Sequence, residues 1–489
     1  MRPDILQSLL AEQAKKARER SAAARRPEFA DIGRRRWAVL AVVSAAQFLT
    51  VLDLWVVNIA LPTLQHDFAP ASLSDVSWTL GVYAIMLAAL LLPAGRAADG
   101  IGRRKFFLAG LVVFGAASLG CAIAPGLAAL IGFRALQAAG AAMLIPTSLG
   151  LALSVFPAHQ RGTAVGVWAG VGAAAAGSGP VLGGLLLQSS WRWIFLINLP
   201  LIAAAIAAGV VILPRTPGER GSGQRRWRID GLGTLQVLGA VGLVCLGLTE
   251  APDWPPAWTT LVLAAGMVLA AVFVAHIHRY RYPLVRPGLF AARRFSAGAA
   301  GLVTYYTGFA AMLLGTTLLL TGEWHFSALQ AAVGIAPGPM TAGVISPFAG
   351  RLTARFGARN LIVTGALLFA AAGAWPLVSA GSEPAYASVI LPAMVAWGVA
   401  NAFIQPTLFA SAQAVPPAEL ASGSAVLATA RQLGAALGVA VLVAVLGSQP
   451  AGDLAGFDRG WAVVIATAAA TAIAGLATSR RPARGAIQA

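Results

Sequence analysis

Fourteen stretches of about 20 mostly apolar residues recur along this chain, each long enough to cross the hydrocarbon core of a bilayer as a helix. They fall near 37–63, 76–95, 105–124, 126–148, 164–188, 193–214, 231–250, 257–276, 296–320, 328–349, 360–381, 385–410, 424–447 and 458–478. Backbone groups in hydrocarbon must be satisfied within their own segment, so this pattern predicts an all-α integral membrane bundle. The composition agrees: 58% of the 489 residues are hydrophobic and 11% charged, where soluble domains carry about a quarter charged.

The formal charge of +17 would suit nucleic acid only with a basic face and stacking aromatics, and here the basic residues punctuate the spans instead. They alternate by loop. Arg96, Arg103, Arg104 and Lys105, then Arg161, the run 215–228, the run 279–294, and Arg351, Arg355 and Arg359 occupy one set. The other set carries Asp67, Asp75, Glu250, Asp253, Glu323, Glu383, Asp453 and Asp458, with only Arg192 and Arg459 against them. By the positive-inside rule both termini of this multi-pass chain are expected in the cytoplasm, with the protein in the cytoplasmic membrane. Cys121 and Cys245 lie in apolar runs and offer neither a disulfide framework nor a metal set, and no cofactor is expected.

The expected organisation is a basic cytoplasmic segment 1–36, a six-helix lobe 37–214, a linker 215–230, two inserted helices 231–276, a cytoplasmic loop 277–295, a second six-helix lobe 296–478 and a tail 479–489. Segment 1–36 lacks the features of a removable signal, and its stretch from Ile5 to Arg26 reads equally as a surface helix or a disordered tail. A shift of 255 positions superimposes Gly95, Arg96, Gly102 and Arg104 on Gly350, Arg351, Gly357 and Arg359. Duplicated units of this kind are typical of secondary transporters, whose substrate site lies between the repeats. Asp99 aligns with Ala354, so the acidic member belongs to the first copy alone. Asp99, Arg103 and Arg104 are expected to act as a gate latch rather than as substrate ligands.

Asp53 is the single carboxylate inside a long apolar span, where a charge is costly and functional by default, a structural ion pair being the plainer alternative. At 100 degrees per residue Gln47, Thr50, Asp53 and Asn58 share an arc of about 140 degrees, a polar stripe expected to face a cavity. Arg134 lies about 12 Å into the fourth helix, matching the depth of Asp53, and Gln137 shares its face. A carboxylate beside a permanent cation makes a candidate proton switch, and a fixed interhelical tie is the alternative. Gly172, Ala176, Gly179 and Gly183 form a small-residue stripe interrupted by Pro180, expected as a lobe-interface hinge or as ordinary close packing. Arg431 is expected to tie the lobes or to meet Asp99, while Trp55, Tyr305 and Tyr306 offer aromatic faces for a lipophilic cation. His276 and His278 point about 200 degrees apart on a helix and read as a basic cluster, not a metal site.

GRAADGIGRRK from Gly95, LDLWVVNIALP from Leu52, RALQAAGAA from Arg134, GSGPVLGG from Gly177, WRWIFLINLP from Trp191 and ARQLGAALGVAV from Ala430 together resemble the major facilitator superfamily, and within it the fourteen-span drug:proton antiporters. Ala138 and Trp55 depart from the family pattern. The resemblance implies the major facilitator fold, two pseudo-symmetric six-helix lobes around a central cavity with an inserted helix pair. It also implies a monomer exporting hydrophobic compounds, cationic ones among them, in exchange for protons, with no enzymatic activity. A dedicated antibiotic or metabolite exporter, or a proton-coupled uptake system, stays open.

Overall fold

The computed structural model describes residues 3–157, 160–214, 230–381, 383–416, 419–447 and 454–478, with the main chain alone for 3–34 and for Asp99 and Arg161 among others. The expected linker, apart from Asp230, and the tail 479–489 lie outside the described residues, as do the side chains of the basic segment before Arg35. Among the described residues fourteen helices are long and apolar enough to cross a membrane: α1 (Arg35–Asp67), α2 (Leu73–Ala98), α3 (Arg103–Ala122), α4 (Leu127–Val155), α5 (Gly166–Leu187), α6 (Trp193–Ile212), α7 (Gly231–Thr249), α8 (Pro256–Arg279), α9 (Arg293–Glu323), α10 (Ala328–Phe356), α11 (Ala358–Ser379), α12 (Ile390–Ala414), α13 (Ser422–Leu446) and α14 (Ala455–Ala477). Among the described residues there is no strand.

The internal repeat is visible in how the helices begin and end. Ser72 starts α2 with a capping box to Asp75, and Ser327, 255 residues later, starts α10 with a capping box to Gln330. The turns that close the two helices contain Gly102 at φ 104° and Gly357 at φ 83°, a region that costs a side chain dearly. Helix contacts repeat as well: α1 packs on α4, α5 and α6 as α9 packs on α12, α13 and α14, and α3 packs on α4 as α11 does on α12. The lobes meet where α2 crosses α13 and α5 crosses α10, and α7 lies against that first crossing with α8 outside it.

One helix boundary shows which way the bundle opens. Gly184, Gly177 and Gly170 lie seven residues apart on one face of α5. A methyl group on Gly184 would meet Leu329 Cα at 2.7 Å, one on Gly177 would meet Met340 Cγ at 3.8 Å, and one on Gly170 would meet nothing within 4 Å. Along this crossing α5 and α10 are therefore tightest on the face opposite the Gly102 and Gly357 turns and draw apart towards the basic face. Buried Asn58 and Thr317 join α1 to α9 at 2.9 Å on the closed side. Trp55 lies 6.0 Å from Phe309 and 6.2 Å from Trp397 in the same seam.

Candidate functional site

Asp53 and Arg134 come together inside the first lobe, 1% and 0% exposed. Arg134 Nη1 donates to Asp53 Oδ2 at 2.5 Å and to Gln137 Oε1 at 2.6 Å. Gln137 Nε2 donates to Asp53 Oδ1 at 2.9 Å and to Ser118 Oγ at 2.9 Å, while Arg134 Nε donates to the Thr79 carbonyl at 2.9 Å. The guanidinium lies 4.3 Å from the Tyr83 ring centroid and 5.9 Å from that of Phe195, a cation held between two aromatic groups. Both carboxylate oxygens thus accept from donors, which satisfies the ionised form of Asp53, and a buried charge of this kind is tolerable only when so paired. Arg134 Nη2 and Tyr83 Oη are buried with no hydrogen-bond partner, so the set is incompletely satisfied towards α2.

Several residues expected on a cavity wall lie elsewhere. Gln137 is 0% exposed and belongs to the lobe interior, because the i, i+3 spacing from Arg134 turns both towards Asp53. Trp55 and Asn58 are buried in the closed seam between lobes. Thr50 is buried with its hydroxyl on the Gln47 carbonyl, and Gln47 packs against Gly172. Tyr305 is buried and donates to Asn401 at 3.0 Å. Tyr306 is nearly buried with Arg431 above its ring at 5.8 Å, and the same guanidinium is within electrostatic reach of Tyr83 in the first lobe. Its expected partner Asp99 has no described side chain.

The glycine stripe is turned into the first lobe rather than across the lobe interface. A methyl on Gly172, Gly179 or Gly183 would meet Gln47, Trp55 or Val56 of α1 at 2.9, 2.7 or 3.1 Å. Crossing the lobes falls to Gly184, which the stripe did not include. Gly434 and Gly438 of α13, each 255 residues after Gly179 and Gly183, press against the Val303 and Thr307 carbonyls of α9 in the same way. Pro180 is buried within α5.

At the basic face Arg96 donates to the Pro283 and Leu284 carbonyls at 2.7 and 3.1 Å, Arg103 to Gly150 at 3.4 Å and Arg104 to Val210 at 2.5 Å. A methyl on Gly95 would meet Pro146 Cβ at 3.7 Å and one on Gly350 nothing within 4 Å, with Arg351 exposed. Asp230 caps α7 and accepts from Gly233, Leu284 and His276 at 2.8, 2.8 and 2.9 Å. Burial pushes that carboxyl up, but the donors Gly233, His276 and Leu284 together outweigh it and hold it below the ordinary 3.8. Sequence reasoning missed Ser118, Asn198 and Asp230 as participants. Among the described residues no group of three metal-ligating side chains assembles.

Residues 43–439 match the Major Facilitator Superfamily. The chain is 35% identical to the puromycin resistance protein of Streptomyces alboniger over 454 residues, covering 89% of this chain and 88% of that protein. It is 33% identical to a tetracenomycin C resistance and export protein of Streptomyces glaucescens, covering 88% and 78%. Its fold is similar to that of a transporter of the POT family, with a TM-score of 0.67 at 15% identity over 91% of this chain and 98% of that one. With fourteen membrane helices, duplicated lobes and this match, the chain belongs to the Major Facilitator Superfamily and is a multi-pass membrane transporter, not an enzyme.

Proposed function

We propose that this transporter is a drug:proton antiporter that expels hydrophobic compounds, lipophilic cations included, by alternating access, with its basic face and both termini in the cytoplasm. The observation that carries this is the Asp53–Arg134 contact, buried in a span at matched depth. A carboxylate can exchange a proton where a guanidinium does not, so Asp53 is the carrier and Arg134 the counter-charge. Proton and substrate each favour a different state, which couples their movements. The parting of α5 from α10 towards the basic face then corresponds to a cavity open to the cytoplasm, with Asn58, Trp55 and Thr317 in the closed outer seam.

In everted vesicles carrying wild-type protein, adding ethidium as a probe cation is expected to discharge a pre-formed pH gradient, and Asp53→Asn is expected to abolish that response at equal expression. Retained proton release in Asp53→Asn sinks the assignment. A second reading, a dedicated exporter of one antibiotic, is favoured by the two Streptomyces relatives, each named for a single compound. A toxicity panel in a pump-deficient host separates the two: protection against many unrelated compounds supports the first, protection against one supports the second.

A further inference from the structure

Beyond Arg134, the Asp53 cluster continues through Gln137 into two residues on the far side of the lobe. Ser118 of α3, 0% exposed, takes Gln137 Nε2 at 2.9 Å and Asn198 Nδ2 of α6 at 3.4 Å on the same oxygen. Asn198 is itself 0% exposed, and its Oδ1 has no partner. A buried amide with half its bonding unused, set in WRWIFLINLP, asks for a role that packing alone does not supply. The same segment contributes Trp191 and Phe195, fully buried and 6.2 Å apart, and Phe195 closes over the Arg134 guanidinium.

The geometry fixes the sense of the Gln137 amide. Its Oε1 accepts from Arg134, so turning it over would set Nε2 against Arg134 Nη1, donor against donor, and Ser118, whose oxygen accepts from both Gln137 and Asn198, would have to turn its hydroxyl to meet an acceptor instead. Held as it is, Gln137 faces Asp53 with a donor, which stabilises the carboxylate. Turned over, it would face Asp53 with an acceptor, which suits the protonated acid. We infer that Ser118 and Asn198 are positioning residues that hold the Gln137 amide as a donor towards Asp53 and so set the pH at which that carboxyl exchanges its proton. This rests on the antiport reading above. The titratable and charged groups around Asp53 are Arg134 from α4, Tyr83 from α2 and Cys121 from α3, with Arg431 of α13 reaching Tyr83 across the lobe boundary. Ser118 and Asn198 add no charge of their own, so they act through hydrogen-bond direction alone.

The test follows the protonation of Asp53 without any transported compound. The protein is purified into nanodiscs and titrated by infrared spectroscopy, reading the carboxylic-acid carbonyl band that Asp53→Asn removes. Ser118→Ala and Asn198→Leu are expected to move the midpoint of that band upwards by about half a pH unit, as the loss of one weak hydrogen bond predicts. Ser118→Thr, which keeps the hydroxyl, is expected to titrate as the wild type does. An unmoved midpoint in folded Ser118→Ala or Asn198→Leu overturns the inference, as does a downward shift. A titrating band with the expected shifts but no proton-coupled efflux overturns the antiport reading instead. If wild type and Asp53→Asn show the same spectrum at every pH, both are overturned.

Discussion

Where the first lobe carries Asp53, the second carries Gly308, 255 residues later in the register that also pairs Ser72 with Ser327 and Gly102 with Gly357. The first lobe fills its interior with an ion pair, an amide and a hydroxyl; the second packs Tyr305, Phe309, Phe369 and Trp397 at centroid distances of 5.0–6.1 Å and joins Tyr305 to Asn401. One frame is thus charged on one side and aromatic on the other. An aromatic interior gains from burial and demands nothing further, whereas a buried ion pair costs desolvation and is weak evidence for stability. A fully buried ion pair in the first lobe points to work done there, and the second lobe, where Arg431 lies over Tyr306, reads as the aromatic counterpart against which it moves.

Breaking the charged side should have the largest effect. Arg134→Leu leaves Asp53 buried without its counter-ion and is expected to cost about 3–5 kcal/mol, read as a fall in the thermal transition of purified protein. Adding Asp53→Asn should restore most of it; no recovery would mean that Arg134 matters through packing on Tyr83 and Phe195. The next contrast concerns equivalent glycines. Gly438→Ala drives a methyl into the Thr307 carbonyl, whereas Gly183→Ala meets Val56 Cγ1 at 3.1 Å and Cα at 3.3 Å, a milder crowding. The second lobe should therefore lose about 1–3 kcal/mol and the first less, measured by the same melt.

A third measurement sharpens the boundary between the lobes and the inserted pair. Asp230→Asn replaces one of the two acceptor oxygens with a donor, so that either Leu284 or His276 together with Gly233 loses its acceptor, and is expected to cost about 1–3 kcal/mol at neutral pH. Because the folded carboxyl is held below its ordinary 3.8, its contribution is present above that value and is lost as pH falls through the folded value. Stability of the wild type and Asp230→Asn should therefore converge in acid; divergence there would show that His276 has another partner. The smallest effect is expected from Tyr305→Phe, which loses one hydrogen bond to Asn401 at about 0.5–1.5 kcal/mol and leaves transport in place.

Much of this frame is legible in the chain. Spans show through their length and apolarity, the repeat through its glycines and arginines, and the Asp53–Arg134 proximity through depth counted at 1.5 Å per residue. What a helical wheel omits is the neighbour: it states that Gln47, Thr50, Asp53 and Asn58 share a side, not which helix covers each. The crossing of α1 by α5 turns Gln47 to Gly172, while Asn58 reaches Thr317 in the other lobe. The glycine stripe had the same ambiguity, since close approach is encoded but its partner is not. Ser118 and Asn198 carried a usable signal, a lone hydroxyl in α3 and a lone amide in α6, which hydrocarbon tolerates only with a partner. Asp230 was hidden by its setting at the end of an arginine-rich linker.

The moorings of α7 and α8 bear on how the halves could travel. Trp78 donates to Glu250 at 2.9 Å, Ser74 to Asp253 at 2.7 Å and Arg96 to the loop after α8, all from α2. Towards α13 the pair presents Cys245 and other apolar side chains to Ala436 and Ala440, and the second lobe grips it through the exposed Arg286–Glu419 contact at 2.9 Å. The pair is thus a passenger bolted to one carriage and resting on a smooth rail of the other. Any stroke between the carriages would be taken up along alanines, with the solvent-side Arg286–Glu419 coupling to break and remake.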